Sequence, residues 1–395
     1  MKLIKYTFLF LIVVACVEEI DVIEDSNNFE NLLVVEATIT NQLIKQEIRL
    51  SRAYELNSEG PIAESNAEVK ILDNNGQEYI FQETELGMYQ SANSFAAQPN
   101  IEYTLVINTQ EGKTYQSLAV KLTQETQLDE IYAERGFNEN GEEGMSIFVD
   151  SFDPTSSSHY YRYDYEETYK VIAPYYSPFE LVIISRNPPF ELDLQLKDEQ
   201  QQVCYATDQS KEIVITNTNA LSEDRVSGFR VRFLHKNNRI ISHRYSILVT
   251  QYVQSREAYS FYETLKSISS TENILSETQP GFIIGNISSK TNTNDKVFGF
   301  FEVSSSSSKR LYFNYADEFP GEELPFLSCP FTAPVISTLG SPPSSPIINH
   351  LDNGFKYFGV NDGQIEDAGP YLLVSPICGD CTFLGDNTPP IWWEE

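Results

Sequence analysis

Four cysteines, Cys204, Cys329, Cys378 and Cys381, are the residues whose type and spacing point most directly to chemistry. Cys378 and Cys381 stand in a Cys-x-x-Cys arrangement, the spacing of a zinc knuckle or of a dithiol redox pair. With Cys204 and Cys329 they would complete a four-thiolate zinc set. In an oxidising compartment the same residues form two disulfides instead, and that is the reading adopted here. Four cysteines allow three pairings, and spacing does not choose among them. The working expectation is Cys378–Cys381 with Cys204–Cys329. The second bridge would close a long loop and stabilise by roughly 2–4 kcal/mol. No βαβ pattern surrounds Cys378, which argues against a thioredoxin-like role. Neither a metal nor a cofactor is expected.

A fifth cysteine, Cys16, calls for different chemistry. Lys2 and Lys5 begin the chain, and Phe8 to Ala15 is unbroken and apolar. The run ends in Val13-Val14-Ala15-Cys16, which resembles a bacterial lipoprotein cleavage box. A basic, apolar, small-residue order is that of a cleaved signal peptide. A membrane-spanning helix needs roughly 20 apolar residues, more than this run supplies. Residues 1–15 are therefore expected to be a signal peptide, leaving Cys16 at the new N-terminus for lipidation. Two or more acyl chains anchor stably where one is marginal. Residues 16–30 carry six acids (Glu18, Glu19, Asp21, Glu24, Asp25, Glu30) and no base, the composition of a flexible tether. The pair Glu18-Glu19 resembles the signal that sends Bacteroidota lipoproteins to the outer face of the outer membrane. The expected location is the outer membrane, lipid-anchored and facing the exterior.

Composition narrows the functional classes. The formal net charge is −30, from 57 acids against 27 bases. Such a surface repels nucleic acid, whose phosphates demand Lys and Arg, and opposes lying flat on anionic lipid. It suits solubility, cation attraction or a basic partner. Hydrolytic chemistry finds little support. His159, His235, His243 and His350 are the only histidines, and none lies in a His-Glu-x-x-His motif. No Gly-x-Ser-x-Gly elbow and no phosphate-cradling glycine loop occurs. A glycosidase-type carboxylate pair can always be imagined among so many acids, so the idea carries little information. No catalytic residue is assigned.

The elements that must position these residues are mostly strands. The chain holds 23 Tyr and 24 Phe but only 3 Met, which favours sheets. Residues 31–124 read as about seven short strands, the pattern of an immunoglobulin-like β-sandwich. Asp73-Asn74-Asn75-Gly76 joins two apolar runs as a hairpin turn, and it lacks the glutamate an EF-hand loop requires. Thr123 to Gln127 is polar and reads as a junction. Residues 125–395 read as a larger β-rich domain. Within it, Tyr161, Tyr163 and Tyr165 alternate with Arg162, Asp164 and Glu166, a half-buried strand. The tyrosines are expected to pack in a core or cross-strand row, although such a row can also stack on sugars or peptides. Arg256 to Ser269 predicts one prominent helix, with Ala258, Phe261, Tyr262, Leu265 and Ile268 on its apolar stripe and Ser255 as N-cap. Ser304 to Ser308 reads as an exposed hairpin tip. Residues 320–350 read as a long Pro/Ser-rich loop, of a kind that is often functional and here equally readable as disordered.

Several short patterns occur in a fixed order. Glu257-Ala258-Tyr259, Tyr262 and Leu265 precede Pro280-Gly281 and Gly285-Asn286-Ile287, and Gly299-Phe300-Phe301-Glu302-Val303 follows. The tail carries Cys378-Gly379-Asp380-Cys381-Thr382, Gly385, Pro389-Pro390 and Trp392-Trp393. Together with the cleavage box, this order resembles an uncharacterised family of Bacteroidota outer-membrane lipoproteins commonly encoded beside TonB-dependent receptors. The resemblance implies an immunoglobulin-like domain, a β-rich domain and an accessory role beside a receptor. It supplies no catalytic residue. The expected function is thus a non-enzymatic, surface-exposed lipoprotein that partners a TonB-dependent transporter in nutrient uptake. A surface polymer hydrolase and a calcium-dependent adhesin are the alternatives.

Overall fold

The structure is a computed structural model, and it describes residues 32–54, 60–269, 283–325 and 328–395. The signal-like segment, Cys16 and the acidic stretch through Glu30 lie outside the described residues, as do Pro280 and Gly281. The chain is mainly β, with several sheets that are mostly antiparallel.

The N-terminal strands are β1 (Leu33–Thr40), β2 (Glu47–Arg52), β3 (Ile62–Ala63), β4 (Glu68–Asp73), β5 (Glu78–Glu85), β6 (Met88–Ser91), β7 (Glu102–Asn108), β8 (Thr114–Ser117) and β9 (Val120–Lys121). Most of them run in one hydrogen-bonded path, β1-β2-β6-β5-β4-β7-β8. Val35 and Ile39 of β1 share a single buried core with Leu105 and Ile107 of β7 and Tyr115 of β8. The path therefore folds back on itself as a sandwich. The Asp73 turn forms as expected: the Asp73 carboxylate accepts from the N–H of Asn75 and of Gln77, each at 2.9 Å.

Beyond the junction come β10 (Leu128–Phe137), β11 (Glu143–Phe152), β12 (Tyr160–Ile172), β13 (Phe179–Ser185), β14 (Glu191–Leu196), β15 (Val203–Gln209), β16 (Val214–Asn217), β17 (Arg225–His235) and β18 (Arg244–Val253). Helix α1 (Arg256–Ser269) follows where the apolar stripe predicts it. The Ser255 hydroxyl accepts from the Ala258 N–H at 3.1 Å, an N-cap. Strands β19 (Ile287–Ser289) and β20 (Val297–Asn314) come next. The sheet β10-β11-β17 packs over β12, β18 and β20, burying Ile147 and Val149 against Tyr161, Tyr163 and Val249. The tyrosine row is core, not a binding face.

Strand β20 joins the two cores. Val297 to Ser304 pairs with β1, the one parallel pairing among the described residues, and Ser305 to Asn314 pairs antiparallel with β18. Its Phe301 and Val303, together with Ile287 of β19, complete the N-terminal core. That core thus uses residues far beyond the polar junction.

The serine run corrects the sequence reading. Ser304 to Ser308 is no hairpin tip but the middle of β20, with Ser304 at 0% and Ser305 at 1% exposure. The junction segment crosses the sheet here, and its polar groups need partners. Ser305 donates its hydroxyl to the Gln124 carbonyl at 2.7 Å and its N–H to Thr123 Oγ1 at 2.9 Å. Ser307 Oγ accepts from the Leu128 N–H at 3.0 Å. Small hydroxyls satisfy a buried crossing that larger apolar side chains would leave unpaired.

The C-terminal region holds α2 (Tyr315–Glu318), α3 (Pro346–Asp352), β21 (Lys356–Val360), β22 (Tyr371–Val374) and α4 (Pro376–Gly379). Residues expected as one long loop thus end in helix α3, and a bridge from Thr332 to Leu373 ties them to β22. Two disulfides form, but the expected pairing is wrong: they join Cys204 to Cys381 and Cys329 to Cys378. Cys378 faces a cluster containing Cys329 and Val374, whereas Cys381, in the turn after α4, faces Cys204 and Ala173. The two thiols of the Cys-x-x-Cys point into different cores, so each takes a distant partner.

Candidate functional groove

The sheet has one face on its cores and one face outward. Cross-strand pairing aligns the outward residues across the seam between the two halves. Arg162 is opposite Tyr252, Thr38 opposite Glu302, Glu36 opposite Phe300 and Val34 opposite Phe298. Helix α1 lies over this face and packs Phe261 onto Phe298 and Phe300, with centroids 5.9 and 5.6 Å apart. A groove of about 670 Å³ runs beside the helix. Phe298, Phe300 and Tyr252 lie along its apolar part, and Glu36, Glu47, Arg49, Asp164, Lys211 and Glu212 contribute charge.

Arg162 organises one end. Its guanidinium lies 4.3 Å from the Tyr252 ring and 5.0 Å from the Tyr262 ring. It pairs with Asp164 at 2.5 Å and with Glu302 at 3.3 Å. Glu302, at 2% exposure, also accepts from Gln254 Nε2 at 3.1 Å and Ser304 Oγ at 2.6 Å. Burial pulls the Arg162 pKa down, but Asp164, Glu302 and the two tyrosines outweigh it and leave the pKa well above its ordinary value. Burial pushes Tyr252 up to about 12. The cluster is therefore a fixed cation clamped by two carboxylates and two rings. It joins α1 to three strands. Arg162 Nε remains buried without a hydrogen-bond partner among the described residues.

The histidines lie apart, three of them held by local partners. His350 Nδ1 lies 2.8 Å from the Pro346 carbonyl, and His235 Nδ1 accepts from the Asn237 N–H at 3.0 Å. His159 Nδ1 is 3.6 Å from Asp224, and burial lowers the pKa of His243. Among the described residues no group of three or more His, Cys, Asp or Glu could hold a metal ion. The cysteines are locked in their two bridges.

The groove contains residues the sequence reading passed over. Alternation puts Arg162 on the face of β12 opposite the core tyrosines, yet it is only 8% exposed. Glu302 carried a legible signal, a lone acid inside Phe300-Phe301-Glu302-Val303. The tail pattern also gains a role. Trp392 lies under Arg310, 3.4 Å from the guanidinium, while Glu395 pairs with Lys170 at 2.8 Å. The C-terminus is thereby docked on the outward face.

Residues 17–310 match the model of a domain of unknown function, DUF4249. No curated protein matches the chain.

Proposed function

The chain belongs to the DUF4249 family, whose function is unknown, and from that premise we propose that it is a surface-exposed outer-membrane lipoprotein that serves a TonB-dependent transporter as a non-enzymatic accessory. The observation that carries this reading is the run from Lys2 to Cys16, basic, then apolar, then small. The family match begins at residue 17, directly after Cys16. The outward groove beside α1, with Phe298, Phe300 and Tyr252 along it, supports a binding role. No helix among the described residues is long and apolar enough to cross a membrane. The Bacteroidota origin and the receptor partnership rest on the pattern of residues quoted above.

Immunoprecipitation of the native protein from outer membranes in mild detergent tests the partnership. The expected result is co-purification of a TonB-dependent receptor in stoichiometric amount. A lone lipoprotein, or purified protein that cleaves a surface polymer, overturns it. Anchoring is tested separately with Cys16→Ala, which is expected to release the protein from the membrane fraction. Retention of that variant overturns the anchoring.

A further inference from the structure

The chain carries a net charge of −30, yet one groove has the opposite sign. It occupies about 840 Å³ on the open side of the second sandwich, between β16 and β17 and beside the last turn of α1. Lys211, Arg230, Arg232 and Lys266 line it against a single acid, Glu212. Arg232 is held by Glu167 at 3.0 Å, and Arg230 reaches Glu139 at 3.3 Å. Lys211 and Lys266 are exposed and make no ion pair among the described residues. In so acidic a molecule, two unneutralised lysines facing one groove offer charge complementarity to an anion.

The backbone supplies the second half of the argument. β17 is an outer strand of its sheet, and β16 pairs with β12 alone. No backbone hydrogen bond crosses the groove among the described residues. A register shift near Val231 interrupts β17, so β16 is the more regular edge. A free edge offers a row of N–H and C=O groups to an incoming extended chain. Ile213, Val231 and Phe233 sit among the cations. An occupant alternating apolar and acidic residues would match that lining, since successive side chains of a strand face opposite ways.

We propose that this groove binds an acidic, extended segment of a partner protein, which adds as a strand to the β16 edge and pairs its carboxylates with Lys211 and Lys266. An acidic glycan would meet the charge but not the strand edge. The inference goes beyond the accessory reading and does not depend on it.

The test uses a fluorescein-labelled nonapeptide of alternating valine and glutamate, titrated with the chain from residue 17 onward and read by anisotropy. Saturable binding is expected, weakening as salt screens the charges. The double variant Lys211→Glu/Lys266→Glu should bind about tenfold more weakly or less, a change of about 1.4 kcal/mol, with an unchanged unfolding midpoint. The same peptide with alternate backbone amides N-methylated should not bind. No binding of the parent peptide, equal binding of a valine–lysine peptide, or an unaffected double variant overturns the proposal. Undiminished binding of the methylated peptide overturns strand addition. Tighter peptide binding after removal of residues 17–30 would make that acidic segment the occupant and overturn the assignment to a partner.

Discussion

The Asn286 side chain hydrogen-bonds both backbone groups of Phe301. Its amide donates to the Phe301 carbonyl and its carbonyl oxygen accepts from the Phe301 N–H, each at 2.8 Å. One side chain thus acts as a short strand against β20, at the segment that completes the N-terminal core. The neighbouring glycines make the approach possible. A Cβ on Gly285 would sit 1.7 Å from the Gly299 carbonyl, and Gly299, with φ +134°, would bring a Cβ to 2.0 Å from the carbonyl of its β1 neighbour Val35. Here lies a physical reason for the Gly285-Asn286 and Gly299-Phe300-Phe301 patterns.

Asn286→Ala is expected to destabilise the fold by about 1–3 kcal/mol, because it leaves two partly buried backbone groups of Phe301 unpaired. Denaturant unfolding measures this. A loss within error of zero would show that water replaces both bonds.

The Arg162–Glu302 pair predicts a large asymmetry between single and double substitutions. Glu302→Leu alone leaves the buried guanidinium with Asp164 as its remaining carboxylate and should cost up to about 3 kcal/mol, whereas Arg162→Met/Glu302→Leu together should recover part of that loss. A double-mutant cycle reads the coupling directly. Additive losses would mean the two side chains do not act as a pair.

The Cys204–Cys381 disulfide ties the C-terminal region to β15, whereas Cys329–Cys378 closes a loop within that region. Cys204 and Cys381 are 177 residues apart in sequence. Cys204→Ala/Cys381→Ala should lower stability by about 2–4 kcal/mol. Peptide mapping without reductant should recover Cys204 linked to Cys381, and a Cys378–Cys381 fragment would contradict the fold of the tail.

Asp153 predicts an acid-sensitive term. Burial pushes its carboxyl pKa up, but the Thr155 hydroxyl and the N–H groups of Thr155, Ser157 and Ser158 outweigh burial and hold it well below the ordinary value of 3.8. A folded-state pKa below the unfolded one stabilises above the unfolded value and is lost as pH falls. Stability should therefore decline below roughly pH 4, and Asp153→Asn should flatten part of that slope while lowering stability at neutral pH. An unchanged slope would remove Asp153 from the acid response.

Docking of the tail is testable by limited proteolysis. Trp392→Ala removes the ring beneath Arg310 and should cost about 0.5–2 kcal/mol of local stability, so cleavage after residue 388 should accelerate. Equal cleavage rates would mean that the Glu395–Lys170 pair suffices.

Local order was largely legible. Period-two alternation marked the tyrosine row of β12, because strand geometry places alternate side chains on opposite faces. The apolar stripe and Ser255 marked α1 for the same local reason. The serine run misled because small polar residues between apolar ones read as a turn when no partner is visible. Its partners, Thr123, Gln124 and Leu128, are about 180 residues away along the chain. Arg162 misled in the same way, since Tyr252, Tyr262 and Glu302 reach it from elements distant in sequence.

By itself the sequence determined the β class, helix α1 and the thiols of Cys204, Cys329, Cys378 and Cys381 that are available to pair. These follow from composition and from neighbours a few residues apart. Only the tertiary structure decided which cysteines pair, that β20 serves both cores, and that one groove of an acidic protein is basic. Each of those depends on contacts between residues far apart in the chain, and one sequence read along its length carries no record of which distant side chains will meet.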